Sequence, residues 1–418
     1  MAVPSPMPCP GRVIRAEGAL SLSKHTTRTL RPRTLSVRAG TARTGFCETS
    51  EAIFMNSGYV YGSAEEAEHS FDGTLDRMVY SRFKNPTVAM FEERLAAIEG
   101  AEAARATASG MAAVHAALVC QLKAGDRVVA PRALFGSCTW IVGDLLPRFG
   151  IEAAFVDGTD LDQWRAALSR PTAVVFLETP SNPTLEVIDL PAVAELAHKA
   201  GARVVVDNVF ATPILQSPLA LGADVVVYSA TKHIDGQGRC LGGAILGSAE
   251  FCDDVLGPYL RHTGPALSPF NAWVLLKGLE TLDLRVERHC ANALEVARFL
   301  EARPEIARVL YPGLDSHPQH DLARRQMKGF GGIVAFHLKG GKAAAYALLD
   351  GLEVIDISNN LGDAKSLACH PWTTTHQRLS PEAKLAQGIG EGLIRLSVGL
   401  EDAADLIDDL ALALQNGL

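Results

Sequence analysis

Residues 203–208 read RVVVDN and residues 224–243 read DVVVYSATKHIDGQGRCLGG, and these two stretches decide the fold. Each contains an unbroken run of valines. A short apolar run of β-branched residues bounded by polar ones marks a strand buried on both faces, as in a parallel sheet. The first run ends on a carboxylate, Asp207. The second leads through Ser229 and Thr231 to Lys232, then into a turn carrying Gly236, Gly238, Gly242 and Gly243.

Open α/β sheets place ligands beyond the C-terminal ends of their parallel strands. A lysine at a strand end is ordinarily a surface lysine, but this one follows two hydroxyls and has a strand-end carboxylate 25 residues upstream. An amine in that setting suits a covalent bond to an aldehyde cofactor whose phosphate needs hydroxyl donors. A carboxylate suits a pyridinium nitrogen, which stays protonated beside an anion and makes the ring an electron sink. Lys232 and Asp207 fit the two ends of pyridoxal phosphate, and no metal is expected at the site.

Upstream, strand and helix patterns alternate: DRVVAP from Asp126, a helix after Ser137, IEAAFVD from Ile151, a helix from about Asp160, TAVVFLE from Thr172 and LPAVAELAHKAG from Leu190. Such alternation predicts a mostly parallel sheet with helices on both faces. Before it, Asn85 can cap a helix with Pro86 at its first position, apolar residues at Val88, Phe91, Leu95 and Ile98, and Gly100 as its stop. Ser109, Gly110 and Met111 open a second apolar helix expected to reach about Lys123, and free amides at a helix N-terminus attract anions. From about Gly278 the pattern changes to a long amphipathic helix (Leu279 to Ala302), shorter strands such as GGIVAFHL from Gly331, and a closing helix after Glu401. That reads as a smaller α+β domain.

The remaining composition narrows the function classes. The chain has 418 residues, 48% of them hydrophobic, enough for a large core and at least two domains. A net charge of −8 without a basic stripe argues against nucleic acid. Eight cysteines are scattered without a C-x-x-C pair, suggesting neither a zinc site nor a disulfide framework but reduced thiols in a cytoplasm. No apolar run approaches the roughly 18 residues a membrane span needs. Residues 1–34 hold six Arg or Lys against one acid, Glu17, and read as an organelle transit peptide or as a disordered or mis-called extension. Residues 41–62 are polar and glycine-punctuated, as in an extended arm.

The lysine in its Ser-x-Thr-Lys setting, with the upstream Asp207, resembles the Cys/Met-metabolism family of pyridoxal-phosphate enzymes from about Leu35 to Leu414. The resemblance implies an aspartate-aminotransferase-type fold (fold type I): an arm at 35–75, a cofactor-binding domain at 76–277 and a C-terminal domain at 278–418. It implies that Ser109, Gly110 and Met111 hold the phosphate with Ser229 and Thr231, that Phe135 takes a ring-stacking position where many relatives have tyrosine, and that Asn182 bonds the ring's phenolic oxygen. Arg395 in LIRLSVGLED matches an arginine that grips a substrate α-carboxylate, with Asn360 and Tyr80 as further substrate contacts; without the resemblance Arg395 would read as a solvated arginine beside a strand. Tyr80 and Arg82 match residues that reach a neighbouring subunit's phosphate, although alone they read equally well as a turn before the helix at Pro86.

The segments Asp235–Arg239 (DGQGR) and Ser358–Gly362 (SNNLG), with Phe135, point within the family to the branch that acts on O-succinylhomoserine with sulfide and makes homocysteine for methionine biosynthesis. The same chemistry with an acetyl ester, with cysteine as nucleophile or as net γ-elimination stays open, as does an inactive cofactor-binding relative. A homotetramer of small-molecule enzymes, with active sites shared across a dimer interface, is the implied assembly.

Overall fold

Along Arg203–Asp207 the valines alternate between two cores: Val205 packs with Val174, Phe176 and the Gly110–Val119 helix, while Val204 and Val206 face the Leu190–Lys199 helix. That two-sided burial is why the run is continuously apolar, and it makes Arg203–Asp207 an interior strand. In a computed structural model of the chain, which describes residues 30–417, seven strands form the large sheet. They are β1 Ala103–Thr107, β2 Arg127–Pro131, β3 Glu152–Val156, β4 Val174–Glu178, β5 Arg203–Asp207, β6 Val225–Tyr228 and β7 Gly243–Gly247. Their order is β1-β7-β6-β5-β4-β2-β3, and β7 alone runs antiparallel to its neighbours.

Five further strands form a smaller sheet in the order β10-β11-β12-β9-β8: β8 Ile306–Leu310, β9 Ile333–Leu338, β10 Asp356–Ile357, β11 Leu367–Cys369 and β12 Leu393–Ser397. One face packs against the helices Leu282–Glu301, Gly341–Asp350 and Ala403–Gly417, while Leu310, Ile333, Ala335 and Leu393 on the other bury with Leu185 and Phe210. The mostly parallel large sheet and the smaller, mainly antiparallel one are the architecture the sequence implies.

Several boundaries differ from expectation. The helix opened by Ser109 ends at Val119, short of Lys123. The long helix expected over Leu279 to Ala302 runs Leu282–Glu301, three residues late at its start, and a separate helix, Pro269–Leu279, precedes it. Helix Pro32–Arg38 straddles residue 34, and its Arg33 pairs with Asp283 and Glu287; the rest of the extension, residues 1–29, lies outside the described residues. Within the arm, Ala64–Phe71 is helical, started by Ser63 accepting from the Glu66 amide. Cys120, Cys138, Cys240, Cys252, Cys290 and Cys369 are free thiols, whereas Cys47 is disulfide-bonded, a departure from reduced thiols throughout. Among the described residues no helix is long and apolar enough to cross a membrane, and no group of three or more His, Cys, Asp or Glu is placed to hold a metal.

Candidate active site

The turn after β6 is built to present Lys232. Thr231 Oγ1 accepts from the Gly242 amide at 3.1 Å, closing the segment into a loop, and Gly236 and Gly238 take positive φ of +67° and +66°, which only glycine adopts freely. From the Leu282–Glu301 helix, buried Arg285 donates to the carbonyls of His233 at 2.6 Å and Ile234 at 3.2 Å. Asp235, fully buried, holds Arg239 at 2.9 Å on the far side. The DGQGR segment is thus scaffolding for the lysine.

Opposite the turn stands the Gly110–Val119 helix, capped by Ser109 Oγ, which accepts from the Ala112 amide at 3.2 Å. A Cβ on Gly110 would lie 2.5 Å from Ser229 Cβ, so only glycine lets the helix N-terminus come this close to the strand end. Ser229 therefore lies against the N-terminus of this helix, where the helix dipole and free amides favour an anion.

Lys232 Nζ donates to Asn360 Oδ1 at 2.6 Å, from a loop of the small sheet. Burial pushes its ammonium down to about 8, and the Arg395 charge adds to the effect. Arg395 sits on β12, 1% exposed, so it is not a solvated arginine. Its Nη1 donates to Asn182 Oδ1 at 3.0 Å, its Nη2 donates to the Asn359 carbonyl at 2.9 Å and the Asn360 carbonyl at 3.2 Å, and its buried Nε has no partner. His376 lies near it, with an unpartnered buried Nε2, and burial pushes its imidazolium down to about 4.

Asp207 is half-buried at the end of β5; Oδ1 accepts from the Val209 amide at 3.1 Å, and burial raises the carboxyl to about 7. Phe135 begins the Gly136–Trp140 helix and donates its amide to Glu178 Oε2 at 3.0 Å. Glu178 went unread at the level of sequence, although it ends an apolar strand just as Asp207 does. Tyr80 and Arg82 do not join this group within one chain. Tyr80 is 40% exposed, and Arg82 donates to the Arg261 carbonyl while its guanidinium lies 4.7 Å over the Phe83 ring.

The Cys/Met metabolism PLP-dependent enzyme family matches residues 33–415. The chain belongs to this family. It is 60% identical over 385 residues, 91% of this chain and 95% of the relative, to an O-succinylhomoserine sulfhydrylase of Mycobacterium tuberculosis. It is 52% identical over 378 residues to one of Pseudomonas aeruginosa, covering 90% of this chain and 94% of that relative. A solved structure from Campylobacter jejuni containing N'-pyridoxyl-lysine-5'-monophosphate superposes with a TM-score of 0.89 at 33% identity, covering 92% of this chain and 100% of the other.

The side chains present fit the family's cofactor. A carboxyl desolvated to about 7 gains its charge readily when a cationic ring N–H faces it. The helix N-terminus at Gly110, close against Ser229, suits an anion such as a phosphate, and Lys232 offers an amine whose burial lowers its ammonium to about 8.

Proposed function

We propose that this chain is an O-succinylhomoserine sulfhydrylase, replacing the γ-succinyl group with sulfide to give homocysteine. The observation that carries this reading is the convergence of Lys232, Asn360 and Arg395 in a chain 60% identical to an enzyme of that name across nearly its whole length. When bound, pyridoxal phosphate supplies an electron sink that stabilises negative charge beside the substrate amino group.

The roles of the side chains follow from their chemistry. Lys232 would hold the cofactor and, when free, would take and return protons at Cα and Cβ; an ammonium made more acidic by burial suits an amine that must be neutral to act. Asp207 would hold the ring nitrogen. Asn182 would bond the phenolic oxygen, its Oδ1 steadied by Arg395 Nη1. Arg395 presents its unpartnered Nε to the substrate α-carboxylate, where a charge-assisted bond fills a buried donor. Phe135 covers a ring face without a hydroxyl, leaving the proton work to Lys232.

Tyr80 and Arg82, exposed and turned to other partners in one chain, serve the phosphate of a second subunit in this reading, supplying it with a cation. The assembly is then a homotetramer of dimers that share sites, working in the cytoplasm. Incubating the enzyme and sulfide separately with succinyl-, acetyl- and phosphorylhomoserine, and measuring homocysteine, tests the substrate. The succinyl ester is expected to give the highest kcat/KM; preference for another ester, or release of α-ketobutyrate without homocysteine, refutes the assignment.

A further inference from the structure

Glu178 ends β4 as Asp207 ends β5, and the two are register partners in adjacent parallel strands. Residues two apart on a strand share a face, and Phe176 and Val205 both lie in the core beneath the Gly110–Val119 helix, so Glu178 and Asp207 turn to that same face. Glu178 is 3% exposed. Its Oε2 accepts the Phe135 amide at 3.0 Å, and the Asn182 amide adds a favourable influence on its charged form. An apolar residue would fill this strand end without desolvating a carboxyl, so packing does not account for an acid here.

We propose that Glu178 is a positioning residue for the ring: by accepting the amide hydrogen of Phe135 at the strand end beside Asp207, it holds the residue assigned to the ring's face in register with the residue assigned to the ring nitrogen. The inference rests on the cofactor reading above. Burial, and then the Asp207 charge, push the Glu178 carboxyl well above the usual carboxylate range. Both effects favour the neutral carboxyl, which can accept the Phe135 amide hydrogen without competing with Asp207 for the ring's positive charge.

The test compares wild type, Glu178→Ala and Glu178→Gln, each titrated with pyridoxal phosphate and followed by visible circular dichroism, with far-ultraviolet dichroism to confirm folding. Glu178→Ala is expected to weaken cofactor affinity by about tenfold or more, the cost of losing a buried hydrogen bond. It should also lose much of the visible dichroic signal and lower kcat more than it raises KM. Glu178→Gln should recover at least half of each loss, since its carbonyl accepts an amide hydrogen and adds no charge. Glu178→Ala with wild-type affinity and signal, or Glu178→Gln no better than Glu178→Ala, overturns the proposal. If Glu178→Ala does not fold, Glu178→Asp replaces it: a diminished visible signal supports the positioning role, and a wild-type signal refutes it. Wild-type protein without any visible band would remove the cofactor reading and the inference with it.

Discussion

Lys232 and Asn360, 128 residues apart in sequence, meet at 2.6 Å between Nζ and Oδ1. The contact ties the turn after β6 of the large sheet to the loop before β11 of the small one, and the Asn360 carbonyl in turn accepts from Arg395. Lys232 and Arg395 are therefore linked through one residue, Asn360.

The acid constant of Lys232 is readable directly. Only the neutral amine attacks an aldehyde, so the rate at which cofactor-free enzyme takes up pyridoxal phosphate should rise with pH through a midpoint near 8. Arg395 contributes to that depression by its charge, so in Arg395→Gln the midpoint should move upward toward the ordinary lysine value of 10.5. Stopped-flow absorbance across pH 6 to about 10 checks both; an unmoved midpoint in the variant would show that burial alone sets it.

Asp207→Asn keeps the shape of the strand end and removes its charge. Without an anion opposite, the ring nitrogen loses its proton and the electron sink weakens, and a drop in kcat on the order of a hundredfold is expected. Steady-state kinetics on the cofactor-saturated variant measure it. A rate near wild type would place the ring nitrogen elsewhere.

What the sequence disclosed and what it hid follow the same physical line. Interior strands such as Val225–Tyr228 are legible because burial on both faces leaves only apolar residues, and a charge at their end stands out. Glu178 has that signature in VVFLE, but the polar Thr-Pro-Ser-Asn run after it makes the strand end read as one polar loop. The Lys232–Asn360 contact was not readable as geometry, since it depends on how the small sheet docks. Ala64–Phe71 carried a Ser-x-x-Glu start but has no buried residue, so no apolar stripe announced it.

Behind β6, Glu99 accepts from Tyr228 Oη, which also receives the Asn208 side chain at 2.7 Å. Glu99 Oε1 is buried without a partner, and burial raises the carboxyl to about 8. The folded state therefore binds a proton more tightly than the unfolded chain, whose glutamate titrates near 4.5. This contribution is complete below about pH 4.5 and is lost as pH rises through about 8, on the order of 3 to 5 kcal/mol. Glu99→Gln keeps an acceptor for Tyr228 and cannot ionise, so its stability relative to wild type should increase from pH 5 to about pH 9. Denaturant midpoints at the two pH values check the sign; a constant difference would mean that Glu99 does not titrate in this window.

If Arg82 serves a second subunit, each site needs two chains. Lys232→Ala and Arg82→Ala, co-expressed with different tags and purified as doubly tagged species, should then regain activity, because one site of a hybrid dimer has both wild-type residues. Arg82→Ala alone must first be shown to be impaired. Hybrid activity no higher than that of either parent would place Arg82 outside the site.

The role of Lys232 as the cofactor's anchor can be tested chemically. Borohydride reduction of the holoenzyme, followed by proteolysis and mass spectrometry, fixes the phosphopyridoxyl group on the lysine that held it. The expected result is a single modified peptide bearing the group on Lys232, and none from Lys232→Ala; modification of another lysine in wild type, or undiminished labelling of the variant, would contradict the account.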